Sequence, residues 1–174
     1  MKLEEKRIST KNIFAGKVVT LNHDQVELPS GEHSFREWID HAGGACVLAQ
    51  VDDKIYFVKQ YRYPYQEVLL ELPAGKLNKG EDPLLCAKRE LEEETGLIAD
   101  NLQLLHCIYP TPGYSNEKIY VYIANQITQG NAHLDSDEFL NVEAIDVQKV
   151  KQMVQNGEIR DAKTLIALYC YFSK

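Results

Sequence analysis

The amino-acid sequence predicts an α/β fold built on a mixed sheet, preceded by a small antiparallel β element. Three observations predict it. Several β-rich runs are close enough in the chain to pair as hairpins, and helical segments fall between hairpins instead of following every strand, as a doubly wound parallel sheet would require. The composition is that of an ordinary globular chain, 44% hydrophobic and 26% charged. At 174 residues, the chain suits about one domain.

The elements follow in order. Met1-Lys-Leu-Glu-Glu-Lys-Arg7 is charged and lacks the apolar core of a signal peptide. Residues 13–28 and 34–39 read as extended, joined by a turn at Pro29-Ser-Gly-Glu32. Residues 1–40 are thus expected to form the separate β element and 41–174 the main domain. Ala45–Val51 and Lys54–Lys59 flank the two-residue turn Asp52-Asp53 and form a hairpin. Val68–Leu72 is a short strand that Pro73-Ala-Gly-Lys76 breaks. A helix is predicted over 83–95, with Asp82 as N-cap, Pro83 at its first position and Gly96 just past its end. Strands follow at Leu102–Tyr109 and Lys118–Ala124, separated by a loop from Pro110 to Glu117. A strand over Phe139–Ile145 leads into a helix near 147–155 that Asn156-Gly157 ends, and Asp161 caps a last helix over 162–172.

Composition also excludes partners. A net charge of −7 argues against a general nucleic-acid binder, which needs a basic face to release phosphate counterions. It leaves room for an anionic substrate held through divalent cations. No run reaches the ~18 apolar residues of a membrane helix. Cys46, Cys86, Cys107 and Cys170 include no CxxC spacing and read as buried free thiols of a reducing cytosol, so a cytoplasmic location is expected.

The helix over 83–95 carries the chemistry. At about 100° per residue, Glu90, Glu93 and Glu94 share one side, Leu84, Ala87 and Leu91 form the core-facing stripe, and Glu92 points to the far side. One reading is a solvated acidic face. Against it, like charges at i,i+3 and i,i+4 destabilise a helix, and glutamates near its C-terminus oppose the macrodipole. A divalent metal with oxygen ligands relieves both. Ahead of the helix, Gly75 allows backbone to approach a ligand closely.

Gly75, five residues, Glu81, seven residues, then Arg89-Glu-Leu-Glu-Glu-Glu-Thr-Gly-Leu97 resembles the Nudix box, Gly-x5-Glu-x7-Arg-Glu-U-x-Glu-Glu-x-Gly-U with U apolar, at every fixed position. The resemblance implies an α/β/α sandwich around a mixed sheet, and Mg²⁺-dependent hydrolysis of a nucleoside diphosphate linked to another moiety, with Mn²⁺ a possible substitute. It implies Glu90, Glu94 and the carbonyl of Ala74 as metal ligands, Glu93 beside them as ligand or water-positioner, Arg89 holding a box glutamate, and Glu81 bracing the loop or a metal-bound water.

Thr111-Pro-Gly-Tyr-Ser-Asn-Glu117, Leu70-Glu-Leu-Pro-Ala-Gly-Lys76, Gln60-Tyr-Arg62, Arg36-Glu37 and the final helix from Asp161 to Leu168 are similar to segments of ADP-ribose pyrophosphatases within that family. This likeness implies that Arg36 and Glu37 meet the adenine end, across a homodimer interface, that Arg62 meets the phosphates or ribose, and that Gly113 and Glu117 meet the distal sugar. Arg36 and Arg62 are otherwise surface charges at strand ends. Trp38 either stacks on a base or packs in the core or a dimer contact. In Leu134-Asp-Ser-Asp-Glu-Phe139, relatives carry Asp-Glu-x-Glu. Ser136 replaces the first glutamate, so Glu138 is assigned as base or mobile metal ligand, with Asp135 and Asp137 as lesser substitutes. The products implied are AMP and ribose 5-phosphate. Two alternatives stand beside this: a pyrophosphatase for another nucleoside diphosphate sugar such as GDP-mannose, and a non-catalytic nucleotide-sensing domain.

Overall fold

Charge does not keep the N-terminal segment out of a sheet. In the computed structural model, which describes residues 2–134 and 139–173, Lys6–Ala15 forms β1 although each of its residues is exposed. The expected single run over 13–28 is broken at Gly16, whose N–H donates to the Val19 carbonyl at 2.9 Å, and the chain returns as β2, Val19–Glu27. Along β2 alternate residues Asn22, Asp24 and Val26 are buried, the period of a strand with one covered face. β3, His33–His41, completes a three-stranded antiparallel sheet in the order β1-β2-β3. β1 lacks the alternation that identifies a half-buried strand, because backbone pairing and not burial recruits it.

This sheet and Tyr109–Lys118 make one compact unit with Met1–Gly43, and Gly44–Ile108 with Ile119–Lys174 makes the other. In the first unit, Ile39 N–H donates to the Tyr114 carbonyl (2.7 Å) and Asn116 N–H to the Ile39 carbonyl (3.2 Å).

The second unit is organised by β4, Gly44–Val51. Ala45, Val47 and Ala49 enter one core and Cys46 and Leu48 another, so opposite faces of one strand serve two layers. β5, Lys54–Arg62, follows the Asp52-Asp53 turn, where Asp52 takes φ 53°. β6, Glu67–Glu71, pairs with β5. The segment expected only to break that strand forms β7, Ala74–Lys76, antiparallel to β4. β8, Leu97–Ile108, starts directly after the helix, five residues ahead of expectation, β9 is Ile119–Gln129, and β10 is Leu140–Asp146. The order is β10-β5-β4-β9-β8, with β4 and β9 parallel and the other pairs antiparallel: a mixed sheet, as predicted.

Helix α1 is Pro83–Thr95, with the predicted bounds. Asp82 accepts from Leu84 N–H, and Gly96, at φ 71°, donates to the Glu92 carbonyl. Ala87 and Leu91 pack with Val47, Leu97 and Tyr122 on one face of the sheet. α2, Val147–Gln155, and α3, Ala162–Phe172, bring Val150, Val154 and Leu168 onto Leu48 and Phe57 on the other. The result is a helix–sheet–helix sandwich. All four cysteines are free, but only Cys46 and Cys86 are buried. Cys107 is exposed and Cys170 half-buried, which corrects the expectation that all lie inside. Burial pushes the Cys46 and Cys86 thiols up to about 12. No helix is long and apolar enough to cross a membrane among the described residues.

Candidate active site

Leu91 sits in the core, and the helical repeat then turns its neighbours Glu90 and Glu94 toward the backbone of β7. Both glutamates are buried, 6% and 3% exposed. Glu94 Oε2 accepts the Ala74 N–H at 2.8 Å. The Glu90 carboxylate lies where a Cβ on residue 75 would be, so any side chain at Gly75 would collide with it. Arg89 ties the rest together. Its Nη1 donates to Glu90 Oε1 (2.6 Å) and Glu93 Oε2 (2.8 Å), its Nε to Glu81 Oε1 (2.9 Å), and its Nη2 to Glu81 Oε2 (3.1 Å) and the Lys76 carbonyl (3.3 Å). Hydrogen bonds from Arg89, with one from the Asn78 N–H (2.8 Å), hold the Glu81 carboxyl below its ordinary value. Glu81 and then Glu90 and Glu93 in turn hold the guanidinium above its own.

The carboxylates and carbonyls at this point suit a hard divalent cation; the Cys86 thiol, 3.8 Å from the Gly75 carbonyl, is held protonated by burial. Two buried carboxylates beside a close backbone therefore fit Mg²⁺ in donor chemistry. Among the described residues no group of three or more acidic, His or Cys side chains is already gathered for a metal; Arg89 and the Ala74 N–H occupy carboxylate oxygens instead. Glu138, with Asp135, Ser136 and Asp137, lies outside the described residues. The chain ahead of it is fastened to α1, since His133 N–H donates to the Glu93 carbonyl at 2.9 Å.

Arg62 forks onto Glu71, Nε to Oε1 at 2.6 Å and Nη2 to Oε2 at 2.7 Å. Glu71 is 1% exposed and also binds Lys163. Burial alone would raise its carboxyl, but hydrogen bonds from Arg62 and the charge of Lys163 bring it down to about 2. Nothing in the sequence reading singled out Glu71 or Lys163. The available signal was a glutamate inside the apolar strand Val68–Leu72, a buried charge that needs cationic partners.

In the other unit, Arg36 donates to both Glu5 oxygens and to the Phe35 carbonyl, and Glu37 is exposed. Trp38 Nε1 donates to Asp24 Oδ2 at 2.9 Å, with Arg7 over its ring. A cavity of about 410 Å³ is lined there by Glu5, Arg7, Asp24, Arg36, Trp38 and Asn116. Gly113 is exposed, and a Cβ on it would meet nothing within 4 Å. Glu117 Oε1 lies 3.4 Å from His41 Nδ1, the nitrogen that accepts the Gly43 N–H at 3.0 Å.

An α/β/α sandwich with a carboxylate-bearing helix and a glycine pressed on a glutamate defines a class, and the chain belongs to it: the NUDIX domain model matches residues 39–168, which makes this a Nudix-family hydrolase. Among curated relatives, the chain is similar to the ADP-ribose pyrophosphatase of Bacillus subtilis (strain 168), 43% identical over 169 residues, 95% of this chain and 91% of the relative. It is similar to a methanol dehydrogenase activator of Bacillus methanolicus, 42% identical over 168 residues and the same shares of both chains. A solved structure described as an ADP compounds hydrolase superposes with a TM-score of 0.86 over 99% of this chain and 95% of that one, at 18% identity, a likeness of fold.

Proposed function

We propose that this chain hydrolyses the diphosphate of ADP-ribose to AMP and ribose 5-phosphate, using Mg²⁺ with Mn²⁺ as a possible substitute. The observation that carries the reading is the buried Glu90–Glu94 pair against the Ala74–Gly75 backbone, in a chain similar along its length to an ADP-ribose pyrophosphatase. Bound at Glu90, Glu94 and the Ala74 carbonyl, the metal would offset the charge of the diphosphate and activate water.

The chain's own residues do the rest. Arg89 keeps Glu90 and Glu93 from separating by mutual repulsion. Glu138 or Glu93 accepts the proton of the attacking water. Arg36 and Glu37 take the adenine end, Arg62 the phosphates or ribose after exchanging part of its fork on Glu71, and Gly113 and Glu117 the distal sugar. Residues 1–40 serve the adenine site and a homodimer contact, and 41–174 the hydrolysis. A cytoplasmic location agrees with the free thiols.

An Mg²⁺-dependent turnover panel of nucleoside diphosphate sugars, with products identified, tests this. ADP-ribose is expected to give the highest kcat/KM, with AMP released; a higher value for GDP-mannose defeats the substrate, and binding without turnover defeats the enzyme. Glu90→Gln and Glu94→Gln are expected to lower turnover at least as far as the roughly 10–100-fold typical of losing a mere outer-shell partner, and a change of a few-fold would remove the metal role. Comparable similarity to the Bacillus methanolicus activator favours a second reading, action upon another enzyme, which the same turnover can accompany.

A further inference from the structure

The backbone that carries Ala74 and Gly75 is not held by the sheet alone. β6 ends at Glu71 and β7 begins at Ala74, so Leu72 and Pro73 bridge two strands, and Pro73 has no N–H to donate. The Leu72 N–H donates instead to Thr164 Oγ1 at 2.8 Å, a fully buried bond to the first turn of α3. One residue earlier, Lys163 reaches the Glu71 carboxylate. Asp161 completes the grip: Oδ1 lies 3.0 Å from Lys163 Nζ, and Oδ2 accepts the Thr164 N–H at 3.0 Å. On the far side of the bridge, the Pro73 carbonyl accepts from Val47 N–H (3.0 Å) and the Ala74 N–H donates to Glu94.

Thr164 and Lys163 are unexpected where they stand. The face of α3 that meets the sheet buries Ala167 and Leu168, and burying a hydroxyl or an ammonium there costs free energy unless each is bonded. A threonine inside a helix ordinarily returns its hydroxyl to its own backbone or to solvent. Here both polar groups point to a stretch of chain within about 10 Å of Ala74, at roughly 3.3 Å per residue.

We propose that Thr164 and Lys163 are positioning residues, which set the Ala74–Gly75 backbone against Glu90 and Glu94 so that carbonyl and carboxylates meet one cation. The inference rests on the metal reading of Glu90, Glu94 and Ala74 given above.

The test is Mn²⁺ binding to the full chain, followed by electron paramagnetic resonance without substrate, at a temperature where circular dichroism finds every variant folded. Thr164→Val and Lys163→Met are each expected to weaken Mn²⁺ binding by about tenfold, the lower end of outer-shell effects. Thr164→Ser, which keeps the acceptor, is expected to bind as the parent does. Leu168→Ala, which hollows the same core but removes no hydrogen bond or ion pair to the bridge, is expected to lower Tm and leave Mn²⁺ affinity unchanged. Unchanged affinity in both Thr164→Val and Lys163→Met overturns the proposal, as does an equal loss in Leu168→Ala. If Thr164→Val does not fold, Lys163→Met decides. If Glu94→Gln binds Mn²⁺ as the parent does, the metal reading itself fails and takes the inference with it.

Discussion

Arg89 lies among three carboxylates that would otherwise repel one another, and its planar fork is what lets one cation serve all three. Nε and Nη2 take both oxygens of Glu81 while Nη1 spans Glu90 and Glu93. A lysine offers a single point of charge and cannot reproduce that set. Arg89→Lys is therefore expected to lower kcat by about tenfold or more with little change in Tm, read from steady-state kinetics and thermal unfolding. Gly75 answers for a distance and not for a torsion, since its φ is not in the left-handed region. Gly75→Ala drives a methyl into the Glu90 carboxylate, and a displacement of about 1 Å at a reacting centre costs about a hundredfold in rate; kcat measured on folded protein checks this. The helical repeat in the sequence already gathered Glu90, Glu93 and Glu94 on one side. It could not show that Glu94 would take the Ala74 N–H, or that Glu81 would swing onto Arg89, because the first depends on β7 pairing with β4 and the second on how the aperiodic loop before α1 closes.

At the scale of elements, one buried carboxylate, Glu71, takes Lys163 of α3 and Arg62 of β5 and so fastens α3 to β6. Removing that charge leaves Arg62 without its carboxylate and Lys163 with Asp161 alone, so Glu71→Gln is expected to cost about 3 kcal/mol in urea unfolding, the lower end for breaking a buried pair. The same group sets an acid limit. Its folded value of about 2 lies below the ordinary 4.5, so the stabilisation is complete above about pH 4.5 and is lost as pH falls towards 2. Urea midpoints followed across that window are expected to drop steeply in the parent and less in Glu71→Gln. Element boundaries set by local chemistry were legible: Asp82, Pro83 and Gly96 bound α1, and Asp161 opens α3. Those set by partners were not. β1 has no buried face, β7 exists only because β4 supplies its pairing, and the first residues of β8 are strand because they pair with the far end of β9, at Leu97↔Gln129.

For the molecule as a whole, the segment with Gly113 and Glu117 is tied to the N-terminal sheet by more than the two backbone bonds at Ile39. Asn116 Oδ1 accepts the His41 N–H at 2.9 Å, and its Nδ2 donates to Asp40 at 2.5 Å. A chain shortened to residues 44–174 loses all of these partners. Chymotrypsin is expected to cut it at Tyr114 several-fold faster than the full chain, because cleavage tracks local opening; equal rates would mean that the loop holds its shape unaided. The turn and strand signals drew a boundary near residue 40 as an expectation only. The return of Tyr109–Lys118 to the unit with Met1–Gly43 was not legible in the sequence, since it rests on pairings 76 positions apart, Asp40 to Asn116.

That return has a consequence for how such a chain can change. A unit made of two separated stretches cannot be exchanged as a single cassette: a graft of residues 1–43 from a relative arrives without the stretch that matches its third strand. Substitutions at Ile39, Asp40 and His41 therefore have to be accompanied by compatible ones at Tyr114 and Asn116, and recombination between relatives is constrained to inherit the two stretches together.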